Sequence, residues 1–508
     1  MSNGRLDDRS VESLKQTPTQ PQPAHCPGIV IAALRGGSGK TIFSVGIIAA
    51  LRNRGATVAP FKKGPDYIDA GWLALAAGRP CYNLDTFLID TPVIQQSYLR
   101  HTQNTDAAVI EGNRGLYDCI NVEGRTSTAE LAKLLDLPVI LCLDVTKTTR
   151  TMAAIVAGCA QFDPGLRIAG VVLNHVAGSR HERIVRDSIT GHCGIPVLGA
   201  VPKLRRQIFT ERHMGLVPTY EHQWAQEAVG AIADLAEKYV NMSAITQLIG
   251  FRCKERTAEY ALPAQEAAAR AYPVPTSAAD VDRPRIGVLR DSAFQFYYPE
   301  NLDALVQAGA ELVVTSPLFE DNLPEVDALY IGGGFPETHA ARLAKNVTYR
   351  EQLRQLADGG LPIYAECGGL MYLGQELVLE EGTFPMAGVL PISFGFSKRP
   401  QGHGYTVVQV DQANPFYAIG QTIRGHEFHY SSVIKGAEDC GPTAFKMERG
   451  SGLMPGRDGL CRNNVLATYT HIHALGTPQW APALVARARE YRRSKTEGRV
   501  DNPKATPY

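Results

Sequence analysis

The stretch Ile29–Thr41, IVIAALRGGSGKT, decides the fold of the first half of the chain, because an apolar strand-like run passes through a glycine-rich turn into a helical pattern. That is the context in which a phosphate-binding loop forms. Glycines let backbone N–H groups surround phosphate oxygens, while Lys40 supplies positive charge and the Thr41 hydroxyl can hold Mg²⁺. The residues predicted to bind a nucleotide are Gly36, Gly37, Ser38, Gly39, Lys40 and Thr41.

Short apolar runs alternate with longer helical patterns through the first 220 residues. The predicted strands are Ile29–Ala33, Thr57–Phe61, Ala107–Ile110, Pro138–Leu143, Ile168–Leu173 and Ile195–Val201. Near-continuous apolar runs of this length are typical of parallel strands that are buried on both faces. They predict a doubly wound α/β domain with a P-loop-type parallel sheet.

The same alternation returns after a segment of different character. Residues from 221 to about 262 are helical in pattern, and the Ala- and Pro-rich stretch PAQEAAARAYPVPTSAADVDRPR is typical of a linker. The next predicted strands are Arg285–Leu289, Glu311–Thr315, Ala328–Ile331 and Pro362–Ala365. The stretches HGYTVVQV and HEFHYSSV predict antiparallel strands added to that sheet. We therefore expect a second doubly wound α/β domain.

These patterns set the expected boundaries along the 508 residues. They are 1–27 for a disordered extension, 28–220 for the nucleotide domain, 221–284 for the helical segment and linker, 285–490 for the second domain and 491–508 for a flexible tail.

The 51 basic residues balance 51 acidic ones, which favours neither nucleic acid nor an anionic membrane as a partner. The 10 cysteines include no CxxC pair, so we expect reduced thiols in a cytoplasmic protein.

Two charged loops follow strands of the first block: KKGPDYID at residues 62–69 and EGNRGLYD at residues 111–118. Ligands of an open parallel sheet bind at the carboxyl ends of its strands, so both loops are expected to face the phosphate loop. Asp66 and Glu111 are predicted to hold Mg²⁺ together with Thr41. The residues predicted to neutralise phosphate or a substrate carboxylate are Lys62, Lys63 and Arg114.

A thiol ends the apolar run at residues 362–365, in the stretch YAECGGL that contains Cys367. A strand that turns sharply into a helix presents a nucleophile at its tip, and a helix N-terminus lowers the pKa of a thiol. The late stretch YTHIH supplies His471 and His473 on one face of a strand as candidate bases. A lone cysteine in an apolar segment is usually inert, but the upstream triglycine and these histidines favour a nucleophile.

The stretches CGGLMYLG, GGGFPE and YTHIH together resemble the class I glutamine amidotransferase domain, in a variant that lacks the glutamate of the usual Cys-His-Glu triad. The resemblance implies that Cys367 attacks the side-chain amide of glutamine and that His471 transfers its proton. The residues implied for the oxyanion hole are Gly333, Gly334 and Gly368. His473 stands where the glutamate would be, and what orients His471 is open.

With KKGPDYID, EGNRGLYD and the phosphate loop, the first block is similar to the dethiobiotin-synthetase-like ATPase domain of the cobyrinic acid a,c-diamide synthase family. The resemblance covers the chain from about Pro27 to Trp480 and implies Mg²⁺- and ATP-dependent amidation of a tetrapyrrole polycarboxylate through acyl phosphates, as in cobalamin biosynthesis. The residues implied to bind that substrate are Lys63, Asp66, Tyr67, Ile68, Asp69, Arg114, Tyr117 and Asp118.

Several alternatives remain at this point. Asn113, Arg114 and Cys119 depart from the family pattern beside the expected crevice, so nickel-sirohydrochlorin and hydrogenobyrinic acid stay open as rings. The sister cobyric acid synthase is disfavoured by GPDYID. A partitioning-type ATPase switch is disfavoured because Arg35 replaces its signature lysine and the cysteine block would have no purpose. The oligomeric state is open, with a homodimer as one alternative.

Overall fold

The structure, a computed structural model, describes residues 27–203, 211–212, 215–216, 218–219, 224–250, 283–438 and 440–498. The predicted N-terminal extension lies outside the described residues except for its last residue. Most of the predicted linker also lies outside them.

A seven-stranded parallel sheet forms the first domain. Its strands are β1 (Gly28–Ala33), β2 (Val58–Lys63), β3 (Tyr82–Leu84), β4 (Ala107–Glu111), β5 (Val139–Asp144), β6 (Ile168–Val176) and β7 (Val197–Pro202). The helices between them are α1 (Lys40–Asn53), α2 (Ile68–Ala77), α3 (Thr91–Thr102), α4 (Thr128–Leu134), α5 (Arg150–Phe162) and α6 (Ser179–Cys193). The strand order is β3-β2-β4-β1-β5-β6-β7, which confirms the predicted doubly wound sheet.

The alternation of side chains along β1 explains why its sequence is apolar throughout. Ile29 and Ile31 belong to the core on one face of the sheet, and Val30 and Ala32 belong to the core on the other. Successive residues of a strand point to opposite faces, so a strand covered on both sides has no position for an exposed polar residue.

The chain after β7 forms two short strands and then two helices, and the helices pack on the first core. Short strands β8 (Glu211–Arg212) and β9 (Gly215–Leu216) pair with each other, and helices α7 (Ala225–Tyr239) and α8 (Met242–Ile249) follow. Gly46 of α1 lies so close to α7 that an added Cβ would be 3.1 Å from side chains of Ile232 and Ala236. The first core therefore extends to α8.

The second domain contains more strands than the sequence predicted. They are β10 (Arg285–Leu289), β11 (Glu311–Thr315), β12 (Ala328–Ile331), β13 (Ile363–Glu366), β14 (Glu376–Leu379), β15 (Gly382–Pro385), β16 (Ser393–Phe396), β17 (Gly402–Val410), β18 (Thr422–His429), β19 (Ser431–Lys435), β20 (Thr443–Arg449), β21 (Arg457–Arg462), β22 (Val465–Thr468) and β23 (His471–Ile472). Its helices are α9 (Pro299–Gln307), α10 (Ala340–Lys345), α11 (Val347–Asp358), α12 (Gly368–Leu373) and α13 (Trp480–Thr496).

Ten of these strands form one mixed sheet in the order β11-β10-β12-β13-β22-β21-β20-β17-β18-β23. The half from β11 to β22 is parallel, and the pairs beyond β22 are antiparallel. The α/β expectation is confirmed, but the stretch HEFHYSSV does not stay in one sheet. After β18 the chain enters β19, which pairs with β16 in a separate four-stranded sheet.

The predicted flexible tail also begins too early. Helix α13 continues to Thr496, six residues beyond the expected end of the domain at 490. Tyr491 is buried on the second core, so its packing holds that part of the chain in the domain.

Candidate active site

The predicted phosphate loop lies between β1 and α1. Gly39 has a φ of +93°, and an added Cβ would be 2.4 Å from the Asn174 side chain, so this position requires glycine. Lys40 donates to the carbonyls of Arg114 at 2.8 Å and Arg35 at 3.4 Å. Burial and the neighbouring Lys62 lower the pKa of Lys40. An anion at the loop would therefore meet an ammonium that has no carboxylate among its hydrogen-bond partners.

Lys62 is the centre of the charged cluster at the ends of β2 and β4. Its Nζ lies 2.8 Å from Asp69 Oδ2 and 2.8 Å from Glu111 Oε1. Burial lowers the pKa of Lys62, but the ion pairs with Asp69 and Glu111 outweigh burial and raise it above its ordinary value. One ammonium thus holds two carboxylates beside the phosphate loop.

The side chains at this cluster fit a divalent cation. Thr41 donates its hydroxyl to Glu111 Oε1 at 2.9 Å, and Glu111 Oε2 is buried without a hydrogen-bond partner. Burial raises the pKa of Glu111 to about 7. Carboxylate and hydroxyl oxygens are the ligands that Mg²⁺ prefers, and a buried oxygen with no donor is a position that a cation can fill.

Asp66, also predicted as a metal ligand, occupies a different place from Glu111. Its Oδ1 accepts the backbone N–H of Asp69 at 2.8 Å, at the start of α2. Burial and Asp69 raise the pKa of Asp66 to about 6. The carboxylate that shares Lys62 with Glu111 is Asp69.

The remaining residues predicted for the substrate are divided between the crevice and the scaffold. Arg114 is exposed after β4 with a φ of +50°, and Lys63 is buried at the end of β2. Asp118 caps its own turn by accepting the Gly115 N–H at 2.7 Å. The Tyr117 hydroxyl donates to the Cys159 carbonyl at 2.6 Å, which directs this side chain toward α5.

Cys367 occupies a sharp turn between β13 and α12. Its φ is +44° and its ψ is −97°, a strained conformation for a residue with a side chain. The turn is fixed by a hydrogen bond from the Cys367 N–H to the carbonyl of Thr468 at 2.8 Å. A positive φ at the tip of a strand-to-helix turn is the geometry predicted for a nucleophile elbow.

The expectation that the turn lowers the thiol's pKa is wrong for this structure. Burial, and after it the carboxylate of Glu337, raises the pKa of Cys367 far above its ordinary value, against the opposing N–H of Gly368. The six-residue α12 and one N–H group do not compensate for the loss of water around a charged sulfur. The resting group is therefore a thiol, and its activation needs a base.

The glycines predicted for the oxyanion hole lie together against the catalytic turn. A Cβ on Gly368 would be 2.9 Å from the Gly334 nitrogen, and a Cβ on Gly333 would be 2.5 Å from Cε1 of His471. Both positions therefore require glycine, because a side chain would collide with these neighbours. Two chain segments thus bring backbone N–H groups and an imidazole to one place.

His471 is held on three sides. Its Nδ1 lies 3.3 Å from Glu366 Oε2, its ring stacks on His426 with centroids 4.9 Å apart, and the Tyr67 ring lies 5.5 Å away. Burial and the neighbouring histidines lower the pKa of His426, so His426 is neutral. Glu366 is thus the acid within reach of the predicted base.

His473 has other partners. Its Nε2 lies 3.5 Å from Glu300 Oε1, its Nδ1 accepts the Leu475 N–H at 3.3 Å, and its ring contacts Tyr298 at 4.6 Å. Strand β23 ends at Ile472, so the expected pairing of His471 and His473 on one strand face is not formed. His473 instead lies behind Glu300 and Tyr298, which themselves contact Asn83 and Tyr67 of the first domain.

That contact is built around Tyr67, which was predicted to bind substrate. The Tyr67 ring is stacked on Phe296 at 5.1 Å and packs on Tyr298 at 4.5 Å and on His426 at 5.6 Å. Because Tyr67 lies between Asp66 and Ile68 at the start of α2, one loop joins the carboxylate cluster to the ring of His471.

Polar contacts surround this aromatic cluster. The Asn83 N–H donates to Glu300 Oε1 at 2.8 Å, and the Tyr405 hydroxyl donates to Asp85 Oδ2 at 2.6 Å. Arg424 reaches Asp90 at 2.6 Å. Since each bond joins the two domains, both buried and exposed groups hold the domains together.

Sequence reasoning missed Glu366 beside His471, and it missed Glu300 and Asp85 at the contact between the two domains. Glu366 alone carried a signal, since it is an acid at the end of an otherwise apolar strand. Glu300 and Asp85 lie in polar contexts where a solvated side chain is the ordinary expectation.

Three further observations concern the described residues as a whole. None of the helices in the described ranges is long and apolar enough to cross a membrane. Within the same ranges, no three His, Cys, Asp or Glu side chains are grouped as a metal site. The eight cysteines that the structure describes form no disulfide with one another.

Comparison with protein families gives one match for each domain. Residues 29–213 match the CobQ/CobB/MinD/ParA nucleotide binding domain. Residues 285–479 match the CobB/CobQ-like glutamine amidotransferase domain. The two matched regions correspond to the parallel sheet with the phosphate loop and to the mixed sheet with Cys367.

Comparison with curated proteins gives relatives of nearly full length. The chain is 43% identical over 468 residues to the cobyrinate a,c-diamide synthase of Magnetococcus marinus, covering 92% of this chain and 98% of the relative. It is 40% identical over 468 residues to the cobyrinate a,c-diamide synthase of Archaeoglobus fulgidus, with the same coverage. The enzyme of that name from Listeria monocytogenes is 37% identical over 450 residues, or 88% of this chain and 96% of the relative.

Proposed function

The chain belongs to the cobyrinate a,c-diamide synthase family, and from this premise we propose that it amidates the a and c acetate carboxylates of a cobyrinic-acid-type tetrapyrrole. It is a carbon–nitrogen ligase that takes its amide nitrogen from glutamine. The observation that supports the proposal most is the Tyr67 contact, which joins the carboxylate cluster of one domain to His471 of the other.

In the first domain the substrate carboxylate is activated by ATP. A carboxylate oxygen attacks the γ-phosphorus, the bond to the β-phosphate oxygen breaks, and an acyl phosphate and ADP result. Lys40 balances charge on the transferred group. Bound Mg²⁺ would neutralise phosphate charge, and the residues that would hold it are Thr41, Glu111 and Asp69, with Asp66 fixing Asp69.

In the second domain glutamine supplies ammonia. His471 takes the proton of the Cys367 thiol as sulfur attacks the amide carbon, and backbone N–H groups at Gly334 and Gly368 hold the oxyanion. The C–N bond breaks, His471 returns the proton to the leaving nitrogen, and ammonia departs. Water then hydrolyses the thioester to glutamate and restores the thiol.

Ammonia next attacks the carbonyl carbon of the acyl phosphate, phosphate leaves with the bonding electrons, and nitrogen loses a proton to give the amide. Ammonia in water at pH 7 is mostly protonated and cannot attack. The buried aromatic contact between the domains supports direct passage from Cys367 to the crevice, since apolar surroundings disfavour the ammonium ion.

The test of this function offers purified protein ATP, Mg²⁺ and glutamine with each candidate ring, and follows mass gain by mass spectrometry. Two amidations of a cobyrinic-acid-type ring are expected, with none when Mg²⁺ is chelated. If only nickel-sirohydrochlorin or hydrogenobyrinic acid is diamidated, the proposed ring is wrong, but the proposed ATP- and glutamine-dependent amidation stands. ATP hydrolysis without amidation of any ring would contradict the synthetase proposal and favour an ATPase switch.

Removing the Tyr67 ring is expected to uncouple the two half-reactions. In Tyr67→Ala, the amide formed per glutamine hydrolysed should fall by about tenfold, because misplacing reacting groups by an ångström can cost about 10²-fold. Amide and glutamate are measured in the same reaction. Tyr67→Phe keeps the ring and serves as the control; a wild-type ratio in Tyr67→Ala would show that the ring does not couple the domains.

A further inference from the structure

We propose that Glu366 is the positioning residue of His471, taking the place of the triad glutamate that the chain lacks. Its carboxylate accepts the Nδ1–H of the imidazole, which leaves Nε2 to take the proton of the Cys367 thiol. The inference rests on the proposed glutaminase role of Cys367 and His471. It adds the group that sets the tautomer and orientation of the base.

The contacts of Glu366 fix both the strand and the ring. Glu366 ends β13 and is fully buried. Its Oε2 lies 3.3 Å from His471 Nδ1, and its Oε1 accepts the Ile472 N–H at 3.1 Å. One carboxylate therefore holds the side chain of one residue of β23 and the backbone of the next, which fixes the ring relative to its own strand.

A second layer holds the carboxylate itself. The Tyr330 hydroxyl donates to Glu366 Oε2 at 3.3 Å. Asn301 donates through its side-chain nitrogen to Tyr330 at 3.0 Å and to the Ile472 carbonyl at 3.0 Å. These contacts come from β12 and α9, so the position of the carboxylate does not depend on β13 alone. Positioning groups of catalytic histidines are commonly supported in this way.

The free edge of the imidazole faces the oxyanion loop. A Cβ added to Gly333 would lie 2.5 Å from Cε1 and 3.3 Å from Nε2 of His471. With Nδ1 directed at Glu366, the lone pair of Nε2 is the one available to the reaction. A carboxylate in this position also stabilises the imidazolium that forms when the thiol proton arrives, without becoming protonated itself.

Other groups near His471 do not provide this contact. His426 stacks on the ring face, and its own Nδ1 pairs with the Tyr298 hydroxyl at 3.3 Å. His473 pairs with Glu300. The position of this carboxylate in the chain differs from that in the usual triad. Glu366 directly precedes the nucleophile Cys367, on the strand β13 that pairs with β22, whereas the usual triad takes its glutamate from a residue after the histidine.

The test compares Glu366→Gln with Glu366→Asp. The glutamine variant keeps the shape and loses the charge, so kcat for glutamine hydrolysis is expected to fall by about 10²- to 10⁴-fold, with KM for glutamine and ammonium-dependent amidation unchanged. The aspartate variant keeps the charge on a shorter side chain and should recover part of kcat. A loss confined to kcat would not result from a general loss of packing.

A matched control is Glu300→Gln, which removes another buried carboxylate that pairs with a histidine of the same segment. It should leave the kcat of glutamine hydrolysis within a few-fold of wild type. Wild-type kcat in Glu366→Gln, or an equal loss in Glu300→Gln, would overturn the positioning role. If wild-type protein and Cys367→Ala hydrolyse glutamine equally, the proposed glutaminase itself fails, and the inference fails with it.

Discussion

Replacing Cys367 with alanine is expected to abolish glutamine hydrolysis and glutamine-dependent amidation while amidation with ammonium salts continues. The loss should be a factor of about 10⁴ or more, because no other group can form the thioester. Cys367 is 4% exposed and its turn is held through backbone groups, so removal of sulfur leaves the fold intact. Glutamate release and ring amidation are measured with each nitrogen source in turn.

The raised pKa of the Cys367 thiol makes this variant informative. A resting thiol does not react readily with alkylating reagents, so labelling would underestimate its role. The control is Cys461→Ala, which removes another buried thiol from β21 of the same sheet and should keep glutamine-dependent activity. Loss of ammonium-dependent amidation in Cys367→Ala would count against a role confined to glutamine.

The predicted parts of the fold are those with a local sequence signal. The phosphate loop and the double-sided strands of the first domain each depend on a few neighbouring residues, such as Gly39 or Ile29 to Ala33. The small sheet of β14, β15, β16 and β19 was not predicted, because its strands are four or five residues long and three of them are partly exposed. Pairing between short strands is decided by tertiary contacts.

The unpredicted parts of the site depend on contacts between distant residues. Glu366 and His471 are 105 residues apart and meet only because β13 pairs with β22 and β23 pairs with β18. The sequence placed Tyr67 in a loop beside the expected substrate crevice, but nothing in the sequence indicated that its ring packs on the second domain. The thiol's pKa depends on burial, which the local sequence around Cys367 does not determine.

Replacing Lys40 with methionine is expected to give the opposite pattern to the cysteine variant. Amidation should fall by at least about 10²- to 10³-fold with either nitrogen source, because a charge aimed at the transferred phosphoryl group is lost. Glutamine hydrolysis should continue. Lys40 Nζ donates to two backbone carbonyls, so methionine leaves no carboxylate bonded to Lys40 without its partner, and the fold should survive. Lys133→Met, which removes a lysine paired with Glu130 and Asp163 at the surface, is the control.

Mixing the two variants tests whether ammonia passes within one chain. Lys40→Met hydrolyses glutamine but cannot activate the substrate, and Cys367→Ala activates the substrate but cannot release ammonia. If ammonia travels through the buried contact around Tyr67, the mixture at neutral pH should form little amide, because ammonia that escapes is protonated before it reaches another molecule. Amide formation near the wild-type rate would show transfer through solvent. That result would remove direct passage from the mechanism and leave both half-reactions in place.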